Sequence, residues 1–185
     1  MSEINPVCSK CISAGKVTCC SCKPWIPLTI EDVRRISRIL KCDFKEFCIA
    51  EEKRKEDTIC FDEWRLTNMP VINGRFYMIC MKKAGNCCIF LKKGVSNGCM
   101  LGSERAFICK LYPLWVDAQN KVVYEADDFC FFIKDKVPIK KALRMLGETE
   151  ENIKNYFLSI KQNWIENNAL HRKMLTTLLQ EVEEK

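Results

Sequence analysis

Val71-Ile72-Asn73-Gly74-Arg75-Phe76-Tyr77-Met78-Ile79 decides the fold class. Asn-Gly accepts positive φ at both positions, which a tight turn needs if its twist is to match two antiparallel strands, and β-branched and aromatic residues flank it here. The stretch predicts a hairpin with strands near 64–72 and 75–82, within a β-rich run from Trp64 to Met81. A smaller hairpin is predicted from Val116 to Tyr124, broken at Asp117-Ala118-Gln119-Asn120. Cys88-Ile89-Phe90-Leu91 reads as another short strand, with Gly94, Asn97 and Gly98 as turn residues before Cys99.

Helical periodicity lies on both sides of this β-rich centre. Upstream, Thr29 and Asp32 have the spacing of a capping box, and Ile30, Val33, Ile36 and Leu40 recur on one face. This predicts an amphipathic helix over 30–41 with Arg34, Arg35 and Arg38 outward. Asp43 to about Glu51 reads as a second short helix with Phe44 and Phe47 inward. Downstream, Pro138 opens a helix that Gly147 ends, and Thr149 caps a longer one striped by Ile153, Tyr156, Phe157, Ile160 and Trp164. Leu170, Met174, Leu175, Leu178, Leu179 and Val182 make a last amphipathic segment, suited to packing on the cysteine-bearing half or to binding a partner protein. His171, the one histidine, lies beside Arg172 and Lys173 and reads as solvated.

The 185 residues have room for one ordinary domain, and 48% hydrophobic with 29% charged residues is a globular composition that excludes wholesale disorder. No run approaches the ~18 uninterrupted apolar residues of a membrane span. The net charge of +6 and pI near 8.6 give no strong nucleic-acid signal. Basic residues such as Lys53, Arg54, Lys55, Lys140 and Lys141 are scattered among acids and read as solvated faces.

Fourteen cysteines stand out from this ordinary background. The start MSEINPVCSK lacks the basic, apolar and small-residue regions of a secretory signal, so the expected compartment is the cytoplasm. Thiols are kept reduced there, and a cysteine-rich chain points to metal rather than to disulfides. Cys8 and Cys11 have the C-x₂-C spacing that aims two sulfurs at one ion, and Cys19-Cys20 is a vicinal pair. A second group, Cys87-Cys88, Cys99, Cys109 and Cys130, spreads over the middle of the chain. The two groups suggest distant loops meeting at a common centre. Cys42, Cys48, Cys60 and Cys80 read as small buried hydrophobes, and Cys22 and Cys87 receive no role.

Cys8-x₂-Cys11, Cys19-Cys20, Ile26-Pro27-Leu28-Thr29 with Asp32, Cys88-Ile89-Phe90-Leu91, Cys99 and Arg105-x₃-Cys109-Lys110-Leu111-Tyr112-Pro113 together resemble the YkgJ-like family over about residues 8–130. That family is described as a zinc- or iron-chelating cysteine-cluster domain. The chain departs from its pattern where seven residues separate Cys11 from Cys19, where Ala106 replaces a proline, and where Lys110 replaces an arginine. The resemblance implies metal ligation by Cys8, Cys11, Cys19 or Cys20, Cys88, Cys99, Cys109 and Cys130. A cluster's negative charge favours nearby donors, which would put Arg105 and Tyr112 beside the centre; Arg105 reads equally well as a surface salt-bridge partner.

All-thiolate sites suit both zinc and iron–sulfur clusters. The surplus over four cysteines favours one or two 4Fe-4S clusters, as does the similar cysteine pattern of flagellin lysine methylases, which are associated with such a cluster. A cluster with an open iron would bind a small ligand such as S-adenosylmethionine, so a cluster-dependent methyltransferase or oxidoreductase is the enzymatic alternative. A zinc-stapled protein-interaction module is the other. No phosphate-binding glycine loop, G-x-S-x-G or H-E-x-x-H occurs, and Asp127-Asp128 reads as a solvated loop. The expected architecture is α+β: a small metal-organised domain over 1–137 with a short antiparallel hairpin sheet and an N-terminal helix pair. A C-terminal helical segment over 138–185 packs on it as part of one structural unit.

Overall fold

The computed structural model describes Cys20 and residues 25–54, 63–92, 98–125 and 130–183. The fold is α+β, with seven helices and small antiparallel sheets among the described residues. The chain divides into two compact units. One contains the described residues of Trp25–Lys82 and Ser159–Lys185, and the other contains Lys83–Leu158 together with Cys20.

The first unit begins with helix α1 (Ile30–Leu40), whose capping box forms as its spacing predicts. Thr29 Oγ1 accepts from the Asp32 amide at 3.0 Å, and the Asp32 carboxylate accepts from the Thr29 amide at 3.1 Å. A third orphan donor at this helix start, the Ile30 amide, is taken by Asn163 Oδ1 at 2.9 Å. Ile30, Val33 and Ile36 are buried, whereas Leu40, expected inward, is 38% exposed in the last turn.

Asp43–Glu51 is not the predicted second helix. Asp43 caps a single 3₁₀ turn, Phe44–Glu46, and the chain then extends as strand β1 (Cys48–Lys53). Beyond helix α2 (Glu63–Asn68) come strands β2 (Val71–Ile72) and β3 (Arg75–Met81). β1 pairs along β3 from Cys48↔Met81 to Lys53↔Phe76, so a partner far along the chain overrides local helical preference. The Asn73-Gly74 turn forms as predicted, with φ of 50° and 78°. Residues 26–28 cover the other edge of β3 through Leu28 N–Ile79 O and Met81 N–Ile26 O, each 2.9 Å. The predicted strand near 64–72 is shorter. Trp64–Asn68 is helical, the Thr67 hydroxyl and the Asn68 side-chain amide donate back to the carbonyls of Glu63 and Trp64 in its first turn, and Pro70 halts it.

The second unit is built from very short pieces. β4 (Lys83–Ala84) pairs with β5 (Cys87–Cys88), and β6 (Leu91–Lys92) pairs with β7 (Gly98–Cys99). Cys88–Leu91 is therefore not one strand, since a turn separates its ends. Helix α3 (Phe107–Leu111) leads to the predicted hairpin, β8 (Leu114–Val116) with β9 (Val122–Tyr124). Asp117 Oδ1 accepts from the amides of Gln119 and Lys121 and closes its turn. α4 (Phe131–Lys134), α5 (Ile139–Leu146) and α6 (Glu150–Glu166) follow, with Pro138 before α5 and Gly147 at φ 70° after it as predicted. Leu111, Leu114 and Ile153 are fully buried, and Trp115 meets Phe157 edge-on at 5.0 Å. α6 runs past Leu158 into the first unit, where α7 (Asn168–Glu183) packs across β1, β2 and β3.

Candidate metal centre

Four of the predicted ligands, Cys88, Cys99, Cys109 and Cys130, lie in the Lys83–Leu158 unit, each on a different short element. Cys88 ends β5 and is buried. Cys87 beside it is only half-buried, as expected where adjacent strand residues point to opposite faces. Cys99 ends β7, opposite Leu91, and is half-buried. Cys109 is half-buried within α3, the helix between Arg105 and Tyr112. Cys130 is buried at the N-cap of α4, where its carbonyl accepts from the Ile133 and Lys134 amides, each at 3.0 Å. Burial first, then the proximity of Cys130, raises the Tyr124 phenol, whose hydroxyl donates to Val137 O at 2.7 Å.

Cys20, also half-buried, is the one described cysteine of the N-terminal group. Cys8, Cys11, Cys19 and Cys22, together with Cys60 and the Asp127-Asp128 pair, lie outside the described residues. No disulfide joins any two of the nine described cysteines. Among the described residues no three His, Cys, Asp or Glu side chains come together in a group able to hold a metal ion. The donor chemistry fits a thiolate-held centre, but the described residues do not complete one.

Cys48 and Cys80 are buried as expected, at 0% and 1% exposure, and Cys42 is half-buried. Burial drives the Cys48 thiol well above its ordinary value and pushes Cys80 up to about 12. Both are neutral thiols at physiological pH, poor nucleophiles and unready ligands.

His171 is not solvated. It lies one turn before Leu175 on the inward face of α7, is 1% exposed, and meets the Trp164 ring edge-on at 5.2 Å. Its Nε2 lies 3.3 Å from Leu28 O, and burial lowers its pKa to about 4. Exposed Arg172 and Lys173 disguised this face in the sequence. Lys53 is likewise not on a solvated face. It is 3% exposed, with its ammonium 3.6 Å from the centroid of the Trp25 ring. The two residues are 28 positions apart, and no local signal links them.

No family model, curated protein or solved structure matches the chain. No helix among the described residues is long and apolar enough to cross a membrane.

Proposed function

We propose that this is a cytoplasmic metal-binding protein of the YkgJ-like kind, holding one or two thiolate-ligated centres, with iron–sulfur preferred over zinc. Cys88, Cys99, Cys109 and Cys130 supply donors from the Lys83–Leu158 unit, and Cys8, Cys11 and Cys19 or Cys20 supply the rest. The supporting observation is the pairing of sulfur with scant structure. The β4–β5 and β6–β7 hairpins have two residue pairs each, and among the described residues 83–92 and 98–101 the buried apolar side chains are Cys88, Phe90 and Leu101. Ordering a residue costs about 1–2 kcal/mol, while burying a large side chain returns roughly 1.5–3 kcal/mol. Such hairpins need a further source of cohesion, and thiolate–metal bonds coupled to folding supply one.

Iron–sulfur is preferred because four thiolates saturate a zinc site or a four-iron cluster, and this chain carries more than four. A bound cluster would supply electron transfer or, with an open iron, a coordination position for a small ligand. The C-terminal helices α6 and α7 are the surface proposed for a protein partner. The test is anaerobic purification followed by metal and acid-labile sulfide analysis and a visible spectrum. A brown protein with stoichiometric iron and sulfide is expected. A colourless protein with stoichiometric zinc would retain the thiolate site and overturn the cluster, and a protein without either metal would overturn the whole reading.

A further inference from the structure

We infer that the open edge of strand β1 is a docking site for an extended, basic segment of another protein, which adds to the sheet as a further antiparallel strand. The inference uses no thiol and no metal, so it goes beyond the function proposed above and stands apart from it. The register fixes where the backbone groups point. In β3, Tyr77 N, Ile79 O and Met81 N bond to Pro70 O, Leu28 N and Ile26 O, all on the side away from β1. Their cross-strand partners Glu52, Ala50 and Cys48 therefore turn their own N–H and C=O away from β3, because facing residues of an antiparallel pair either bond each other or both point outward. Lys82 N donating to Phe47 O at 2.8 Å sets the same alternation from the end of the ladder.

The sheet order is β1-β3-β2, so no strand among the described residues lies on that side of β1, and no backbone bond among them reaches these outward groups. Cys48 is buried, but Ile49 is 38% exposed, Ala50 is half-buried and Glu52 is exposed, so the accessible edge runs from Ile49 to Glu52. Donors and acceptors at strand spacing are complementary to another extended backbone. Charge narrows the choice of strand. Glu51 and Glu52 point to opposite faces of the sheet. Glu52 makes an exposed ion pair with Arg75 at 3.0 Å, Glu51 has no ion pair among the described residues, and Lys53 is turned inward against Trp25. A second copy is the poorer occupant. Pairing β1 with itself about Ala50 satisfies the same backbone groups but makes the two copies of Glu51 diagonal neighbours on one face, without a facing cation. A strand with basic residues opposite Glu52 and Glu51, and an apolar residue opposite Ile49, complements the edge in both backbone and charge.

The probe is the peptide acetyl-Thr-Lys-Lys-Thr-Val-Thr-amide, which in the antiparallel register sets its lysines opposite Glu52 and Glu51 and its valine opposite Ile49. Amide chemical shifts of the full-length chain are followed by NMR during titration with this peptide and with a counterpart carrying Glu-Glu in place of Lys-Lys. Saturable shifts at residues 49–53 are expected, with affinity lower by about fivefold or more for the acidic peptide, and for the basic peptide on Glu51→Lys. Ala50→Pro removes an outward donor and leaves the β1–β3 ladder intact, so it should abolish the shifts while the other sheet amides keep their positions. Absence of saturable shifts at 49–53, or equal binding of the two peptides, would overturn the inference. Slow exchange of the Ala50 and Glu52 amides in the free monomer would overturn it too, since the chain would then cover its own edge. A concentration-dependent dimer with shifts confined to β1 would make a second copy the occupant instead. Metal content is measured on the same samples: a metal-free protein that still bound the basic peptide would sink the metal reading and leave this one standing.

Discussion

The two units reach stability by different routes. In the unit of Trp25–Lys82 and Ser159–Lys185, strands of six and seven residues pair, and polar side chains reach across long sequence separations to backbone groups. Asn163 takes the first amide of α1, and Asn168 donates to Asn68 O at 2.6 Å. In Lys83–Leu158 the strands have two or three residues, and α3 and α4 have five and four. The candidate sulfur donors fall among these short pieces. In the better-supported unit Cys48 and Cys80 are built in as small apolar groups, and Cys42 is half-buried. The contrast teaches that spacing alone does not sort cysteines into ligands and fillers: the regularity of the surrounding backbone differs between the two units as well.

The sharpest way to break this comparison is to replace cysteines by serine on each of its two sides. Serine at Cys88 or Cys109 is expected to release metal and lower the melting temperature by about 10 °C or more, since binding free energy and folding free energy are one quantity at a structural site. Cys42→Ser is expected to keep the metal and remain within about 0.5–1 kcal/mol of the parent. Metal analysis and thermal melts on the three variants decide the matter. Equal, small effects at all three would erase the distinction between ligand and filler.

A core truncation in the other unit tests the comparison from the opposite side. Leu175 is fully buried where α7 crosses the sheet, so Leu175→Ala should cost roughly 3 kcal/mol through lost burial and an unfilled cavity. Metal content should stay at the parental level. Coupled loss of metal and stability would show that the units do not hold separately.

How much of this was legible in the sequence depended on the reach of each signal. The Asn73-Gly74 turn, the Thr29–Asp32 capping box and the Pro138/Gly147 boundaries of α5 are each defined by neighbours within one turn, and they appear where predicted. The strand Cys48–Lys53 carries two glutamates and a lysine, and it is set by pairing with residues 76–81. Helix α2 is stabilised at its edge by Trp64 meeting Trp164 at 6.4 Å, a pairing outside any local window. The cysteines suggest donor chemistry through number and spacing, but spacing does not say which sulfurs meet, and among the described residues no three potential ligands do. His171 and Lys53 were misread because charged neighbours hid an inward-facing position.

That buried histidine gives a pH test confined to the first unit. An unfolded chain protonates His171 near 6.5, whereas the folded protein resists until about 4. Between these values the unfolded state binds the extra proton, so stability from this group is complete above 6.5 and declines as pH falls toward 4. At pH 5 the loss should be about 2 kcal/mol relative to pH 7. Urea titrations at both pH values on the parent and on His171→Leu measure it, with the variant expected to lose most of that slope. An identical slope in the variant would assign the acid sensitivity elsewhere.

The smallest effect expected is at the start of α1. Thr29→Ala deletes the hydroxyl that accepts from the Asp32 amide and leaves the Asp32 carboxylate with one hydrogen-bond partner fewer at this buried helix end. The cost should be about 1 kcal/mol, typical of a lost N-cap. Thr29→Ser keeps an oxygen in place and should recover most of it. Because Leu28 and Ile30 on either side are fully buried in the unit of Trp25–Lys82 and Ser159–Lys185, which holds none of the proposed ligands, the loss should be equal in metal-loaded and stripped protein. Chemical denaturation of both forms reads this directly. A cap whose worth changed on removing the metal would mean that α1 feels the cysteine centre, and the separation between the two units would have to be redrawn to include it.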